Sequence, residues 1–80
     1  MKHLTTLILT LSLTACNTAS QQAERELAML EKNHASSDRI CTASRKVADA
    51  YLAENNADKF PLADVVASTD CLTAQLDRMD

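Results

Sequence analysis

Few side chains in this sequence could do chemistry, and they stand far apart. Glu31 and His34 form a Glu-x-x-His pair, which on a helix sets a carboxylate and an imidazole on one face, as in carboxylate-bridged di-iron bundles. Such a site takes two of these pairs and two further Glu, so a solvated helix end is the expected role for Glu31 and His34. Cys41, Cys71 and His34 would together supply three zinc ligands, without the close Cys-x-x-Cys spacing that structural zinc sites use. A Cys–His nucleophile built from the same residues needs a reduced thiol in a cleft, which a short helical chain can hardly form. No catalytic residue, metal or cofactor is therefore assigned, and the chain is not expected to be an enzyme. Arg39, Arg45 and Lys46, interrupted by Asp38 and Asp49, read as a solvated basic face, with anionic lipid or an acidic partner as the sharper alternative. Tyr51 and Phe60 are the only aromatics and are expected in the core.

The remaining cysteine, Cys16, stands in a different context. Met1 to Ala15 carry a basic start at Lys2, an apolar run from Leu4 to Leu13 and small residues before Cys16, the layout of a secretory signal. The run is too short to span a bilayer, covering roughly 15 to 18 Å of a core about 30 Å thick. Leu13-Thr14-Ala15-Cys16 resembles a lipobox, the cleavage and lipidation signal of bacterial lipoproteins, and matches it at every position. The resemblance implies a diacylglycerol thioether on Cys16, cleavage after Ala15 and usually acylation of the new amino terminus. Two or three acyl chains anchor a protein stably where one holds it only marginally. Asn17 follows Cys16; the Asp that commonly retains enteric lipoproteins in the inner membrane is absent. By resemblance the location is the inner leaflet of the outer membrane, facing the periplasm, with the outer leaflet of the inner membrane or secretion as alternatives. The resemblance ends at Cys16.

Export and a lipidated Cys16 leave Cys41 and Cys71 as an even pair in an oxidising compartment, and one disulfide is expected between them. Counting both ends the loop holds 31 residues, and closing it is worth on the order of 3.5 to 4 kcal/mol in the chain-entropy treatment. A staple of that size suits the composition. Leu, Ile, Val and Phe make up eleven of the 65 residues that follow Ala15, about 17%, below the roughly 20% at which disorder becomes a concern, but the modest net charge favours a thin Ala-rich helical core over a disordered tail. Removing Lys2 with the leader takes the net charge from −3 to −4, the wrong sign for nucleic acid. Zero Gly and twelve alanines between Ala19 and Ala74 disfavour hairpins and favour helices.

The elements that must position these residues are accordingly helical: an all-α hairpin or bundle of three to four short helices with one disulfide. Residues 1–15 are the leader, 16–22 a lipidated tether and 23–80 the domain. A first helix is expected from Thr18 or Ser20, with Thr18 and Gln21 spaced as a capping box, to about His34, striped by Ala23, Leu27, Leu30 and His34. Ser36 or Ser37 caps a second helix, about Asp38 to Asn55, burying Ile40, Ser44, Val47 and Tyr51 with Cys41 at the edge of that face. Asn55-Asn56 supplies the stop where no Gly is present. Pro61 biases Phe60 to an extended conformation and begins the next helix. From Leu62 the steps Val65, Val66, Leu72, Leu76 and Met79 are helical. Cys71 would point about 180° from Leu62 on an unbroken helix, so a bonded Cys71 argues for a break at Ser68-Thr69-Asp70; a continuous helix is the alternative, and a short strand over 64–67 lacks a partner. By exclusion, the chain is expected to be a small protein-binding module of accessory, immunity or exclusion type, held to the membrane by lipid on Cys16. The alternative is a structural envelope or assembly accessory that self-associates through the Leu27/Leu30 or Leu72/Leu76 stripe.

Overall fold

A computed structural model describes residues 18–79; the leader, the lipobox and Cys16 lie outside the described residues. Three helices run up, down and up: α1 (Ala19–Lys32), α2 (Ser37–Ala53) and α3 (Phe60–Met79). No strand occurs among the described residues, and 64–67 is helical.

Each helix is delimited by polar chemistry in a chain without glycine. The Thr18 hydroxyl accepts the Gln21 N–H while the Gln21 side chain accepts the Thr18 N–H, the reciprocal capping box expected from the spacing. The helix is thus under way at Ala19, four residues before the expected tether boundary, and Ser20 is buried. Its N–H donates to Glu54 Oε2 at 3.0 Å and its hydroxyl to Glu54 Oε1 at 2.8 Å. That carboxylate satisfies an orphan donor at the positive end of α1. Ser36 caps α2 through the Arg39 N–H.

The C-termini of α1 and α2 end in matching ways. Asn55 adopts φ 56°, with its N–H on the Leu52 carbonyl and the Asn56 N–H on Tyr51, the paired bonds of a Schellman stop. His34 adopts φ 55°, with its N–H on Glu31 and the Ala35 N–H on Leu30. His34 is therefore not the last residue of the α1 stripe but the left-handed residue that ends the helix at Lys32. After α2, the Asn56 side chain accepts the Lys59 N–H, closing a turn over 57–59 that feeds directly into α3. Phe60 is consequently helical rather than extended, its N–H bonded to the Asn56 carbonyl, and Pro61 falls in the first turn, where a missing N–H costs nothing.

The helix α2 is central: α1 and α3 each pack against it and not closely on one another. Its pairings are antiparallel on both sides. Toward α1, Glu54 meets Ser20, Tyr51 meets Glu24 and Lys46 meets Glu26. Toward α3, Asp38 meets Arg78, Ser44 meets Asp70 and Arg45 meets Asp64. α1 and α3 therefore begin at the same end of the molecule.

The core is thin and mostly alanine. Buried side chains are Ala23 of α1, Ala43, Val47, Ala48 and Tyr51 of α2, and Ala67 and Ala74 of α3, with Leu27, Phe60 and Ala63 packed against the cluster at partial exposure. The expected face of α2 is the buried one, with Ile40 and Cys41 at its margin.

For α3 the expected break is overturned and the continuous alternative holds. The helix runs unbroken through Ser68-Thr69-Asp70, and Cys41 and Cys71 are nonetheless joined by a disulfide, their Cα atoms 4.5 Å apart. Both hold because the branched residues are not the inward side. At 100° per residue, Phe60, Ala63, Cys71 and Ala74 lie within about 40° of Ala67, whereas Leu62, Val65, Leu72 and Leu76 lie about 140° to 180° from it. Ala67 is 0% exposed and Leu72 55%. The small residues let α3 approach α2 closely enough for the disulfide; a leucine face would hold the axes farther apart.

Candidate functional site

The residues singled out for chemistry are not brought together into a reactive centre. Glu31 lies in the last turn of α1 and His34 beyond it, both exposed. Cys41 and Cys71 are bonded to each other, which removes both as thiolate ligands or nucleophiles. Among the described residues no group of three or more His, Cys, Asp or Glu is placed to hold a metal ion. The basic face is divided by the helix: Lys46 reaches Glu26 of α1 at 3.2 Å, and Arg45 turns the other way toward Asp64 of α3 at 4.0 Å. These pairs are about half exposed, so each contributes little. Ser44, between them in helical projection, is buried and donates its hydroxyl to Asp70.

The most polar-rich point of the interior is Tyr51. Its hydroxyl donates to the Glu24 carboxylate, and the Lys59 ammonium lies 5.8 Å from the ring centroid. The hydrogen bond to Glu24, burial of the ring and the negative charges of Glu24 and Glu54 together push its pKa up from 10.0 to about 12. With one Tyr and no Trp in the chain, the phenolate absorbance reports this site alone. We expect it to titrate near 12 in the folded protein, and Glu24→Gln to bring the midpoint back toward 10. A wild-type midpoint at the unperturbed value would refute the contact. Because the folded value is raised, the stabilisation is complete below pH 10 and is lost as pH climbs from about 10 to 12.

What the helices do assemble is an apolar surface. Leu62, Val65, Val66, Leu72, Leu76 and Met79 of α3 are all substantially exposed. The belt continues over Leu62 and Val66 into a groove floored by Val47 and Tyr51 of α2 and bounded across by Leu27 and Ala28 of α1. Sequence patterning identified these α3 residues as one helical stripe with Cys71 on the opposite side, and it is the Cys71 side that packs inward. The signal for the true inward side was the alanine spacing 63, 67, 74 together with Cys71, which shares one face of an unbroken helix.

No family model, curated protein or solved structure matches the chain in comparisons with each. No helix among the described residues is long and apolar enough to cross a membrane.

Proposed function

We propose that this chain is a lipid-anchored bacterial lipoprotein whose helical domain binds protein through the outward face of α3, and that it acts by binding rather than catalysis. The observation that carries the reading is the packing of α3. A helix that buries alanines and presents leucines and valines to solvent has a second face to cover, and a contiguous patch of this kind marks an interaction surface. The anchor rests on the resemblance of Leu13-Thr14-Ala15-Cys16 to a lipobox. With α1 capped at Thr18, only Asn17 would separate the lipidated residue from the cap, so the domain would sit against the bilayer rather than on a tether.

Two measurements test the two halves. Mass spectrometry of the protein extracted from membranes should find Cys16 as the amino-terminal residue bearing acyl chains. Cys16→Ser should leave an uncleaved or mislocalised precursor; an unmodified Cys16 in the wild type refutes the anchor. For the surface, p-benzoylphenylalanine in place of Thr69, which lies among the exposed branched residues, should give protein adducts in intact cells. The same probe in place of Thr42, on the exposed side of α2, should give none. Equal labelling from both positions refutes the assignment of α3.

A further inference from the structure

Building on that reading, we infer that the partner of the outward α3 face is α3 of a second copy of this chain, paired in parallel as a short two-stranded coiled coil. The first support is spacing. Leu62, Val65, Thr69, Leu72, Leu76 and Met79 follow one another at steps of three, four, three, four and three, the a and d positions of a heptad repeat over the length of α3. All six are exposed. Ala67 and Ala74, which pack on α2, occupy the f position, directly opposite that seam. Such a repeat is the pattern that lets one helix receive another's side chains as knobs in holes.

The second support is charge. The positions flanking the seam hold Val66, Ser68, Thr73 and Gln75, so nothing there repels an identical helix. Three of the four charged residues of α3, Asp64, Asp70 and Arg78, instead face α2, where they meet Arg45, Ser44 and Asp38, and the fourth, Asp77, is at a heptad b position off the seam. A lipid surface is the poorer occupant, since helices that lie in the interface carry Lys and Arg beside their apolar face and this seam has none flanking it.

The third support is area. The large apolar residues of the face expose on the order of 600 Å² per chain, at the top of what ordinary monomers show. Pairing two copies would remove on the order of 1,000 Å² in total, about the minimum for a specific interface. Fewer than three full heptads is marginal in dilute solution. Confinement of both copies to one leaflet through Cys16 would raise their effective concentration. The same confinement sets the direction. α1 and α3 start at the same end, so two domains anchored beside Thr18 both project α3 away from the bilayer, and each seam residue faces its own counterpart.

The experiment uses the full chain, expressed with its leader in a Gram-negative host as two copies carrying different epitope tags, with p-benzoylphenylalanine in place of Val66. The expected product is a covalent pair containing both tags, with fragment-ion mapping placing the link near residues 62–66 of the second copy. Leu72→Asp with Leu76→Asp should reduce that product by at least roughly tenfold, because like charges then meet across the pair. Both positions are solvent-exposed, so helicity and the disulfide should persist; Thr69→Glu is the second variant and should act the same way. A link to the far end of α3, near residue 75, would overturn parallel pairing. Adducts only with a different protein would overturn self-pairing while leaving the protein-binding reading intact. Absence of any protein adduct would overturn both.

Discussion

Replacing both Cys41 and Cys71 with serine, or reducing their bond, is expected to lower the thermal midpoint by at least about 15 °C or to abolish the cooperative transition. The loop of 31 residues is worth on the order of 3.5 to 4 kcal/mol of denatured-state entropy. In a domain of this size each kcal/mol moves the midpoint by roughly 4 to 8 °C. Little else compensates, since buried alanines contribute small areas and, among the described residues, Val47 and Tyr51 are the only larger hydrophobic side chains that are fully buried. α1 and α2 are capped at both ends and the helices are rich in alanine, so part of the far-UV helical signal should survive when the cooperative transition does not. Circular dichroism with and without reductant measures both quantities. An unchanged melting curve in the double variant would show that packing alone suffices and would overturn the stapled architecture.

The second large effect separates the two faces of α3. Ala67→Leu is expected to destabilise the domain by about 1 to 3 kcal/mol and to strain the disulfide, because a leucine at a fully buried position pushes α3 off α2. Leu72→Ala, on the outward face of the same helix, should change the stability of the isolated domain by no more than about 0.5 kcal/mol. A hydrophobicity argument from sequence orders these two the other way, so the pair is diagnostic. Chemical denaturation of both variants is sufficient. If Leu72→Ala proved the more damaging, the inward face of α3 would be the leucine face.

Much of the secondary structure was legible because it is locally encoded. Thr18 and Gln21 close a capping box within four residues, Ser36 caps α2, and Asn55 stops it; each is a side chain acting on backbone nearby. The disulfide was legible from the cysteine count, since reading Cys16 as a lipidation site leaves Cys41 and Cys71 with only one pairing. The orientation of α3 was not. Apolar periodicity establishes that a stripe exists but not which neighbour covers it, and α3 carries two stripes, one of small residues and one of branched ones. Only the tertiary requirement that Cys71 reach Cys41 selects between them, and the chain meets it by rotating the helix rather than by breaking it. His34 eluded the sequence for a related reason: without glycine, the chain places the left-handed residue wherever the helix must stop, and nothing local to Glu31–Ala35 marks His34 for it.

The central position of α2 also sets how the molecule would come apart. α1 and α3 pack on α2 but not closely on each other, and the covalent link joins only α2 to α3. Opening is therefore graded. α1 is held by packing of Ala23 and Leu27 and by carboxylate contacts at Ser20, Tyr51 and Lys46, with no covalent link, so its amides should belong to the least protected cooperative unit, while α2 and α3 should exchange as a covalently closed pair. Departure of α1 would bare Val47 and Tyr51 from one side and leave the outward seam of α3 untouched. The domain thus has one flank, nearest Cys16 in sequence, that is held by packing and hydrogen bonds alone, and a hairpin of α2 and α3 that is closed covalently.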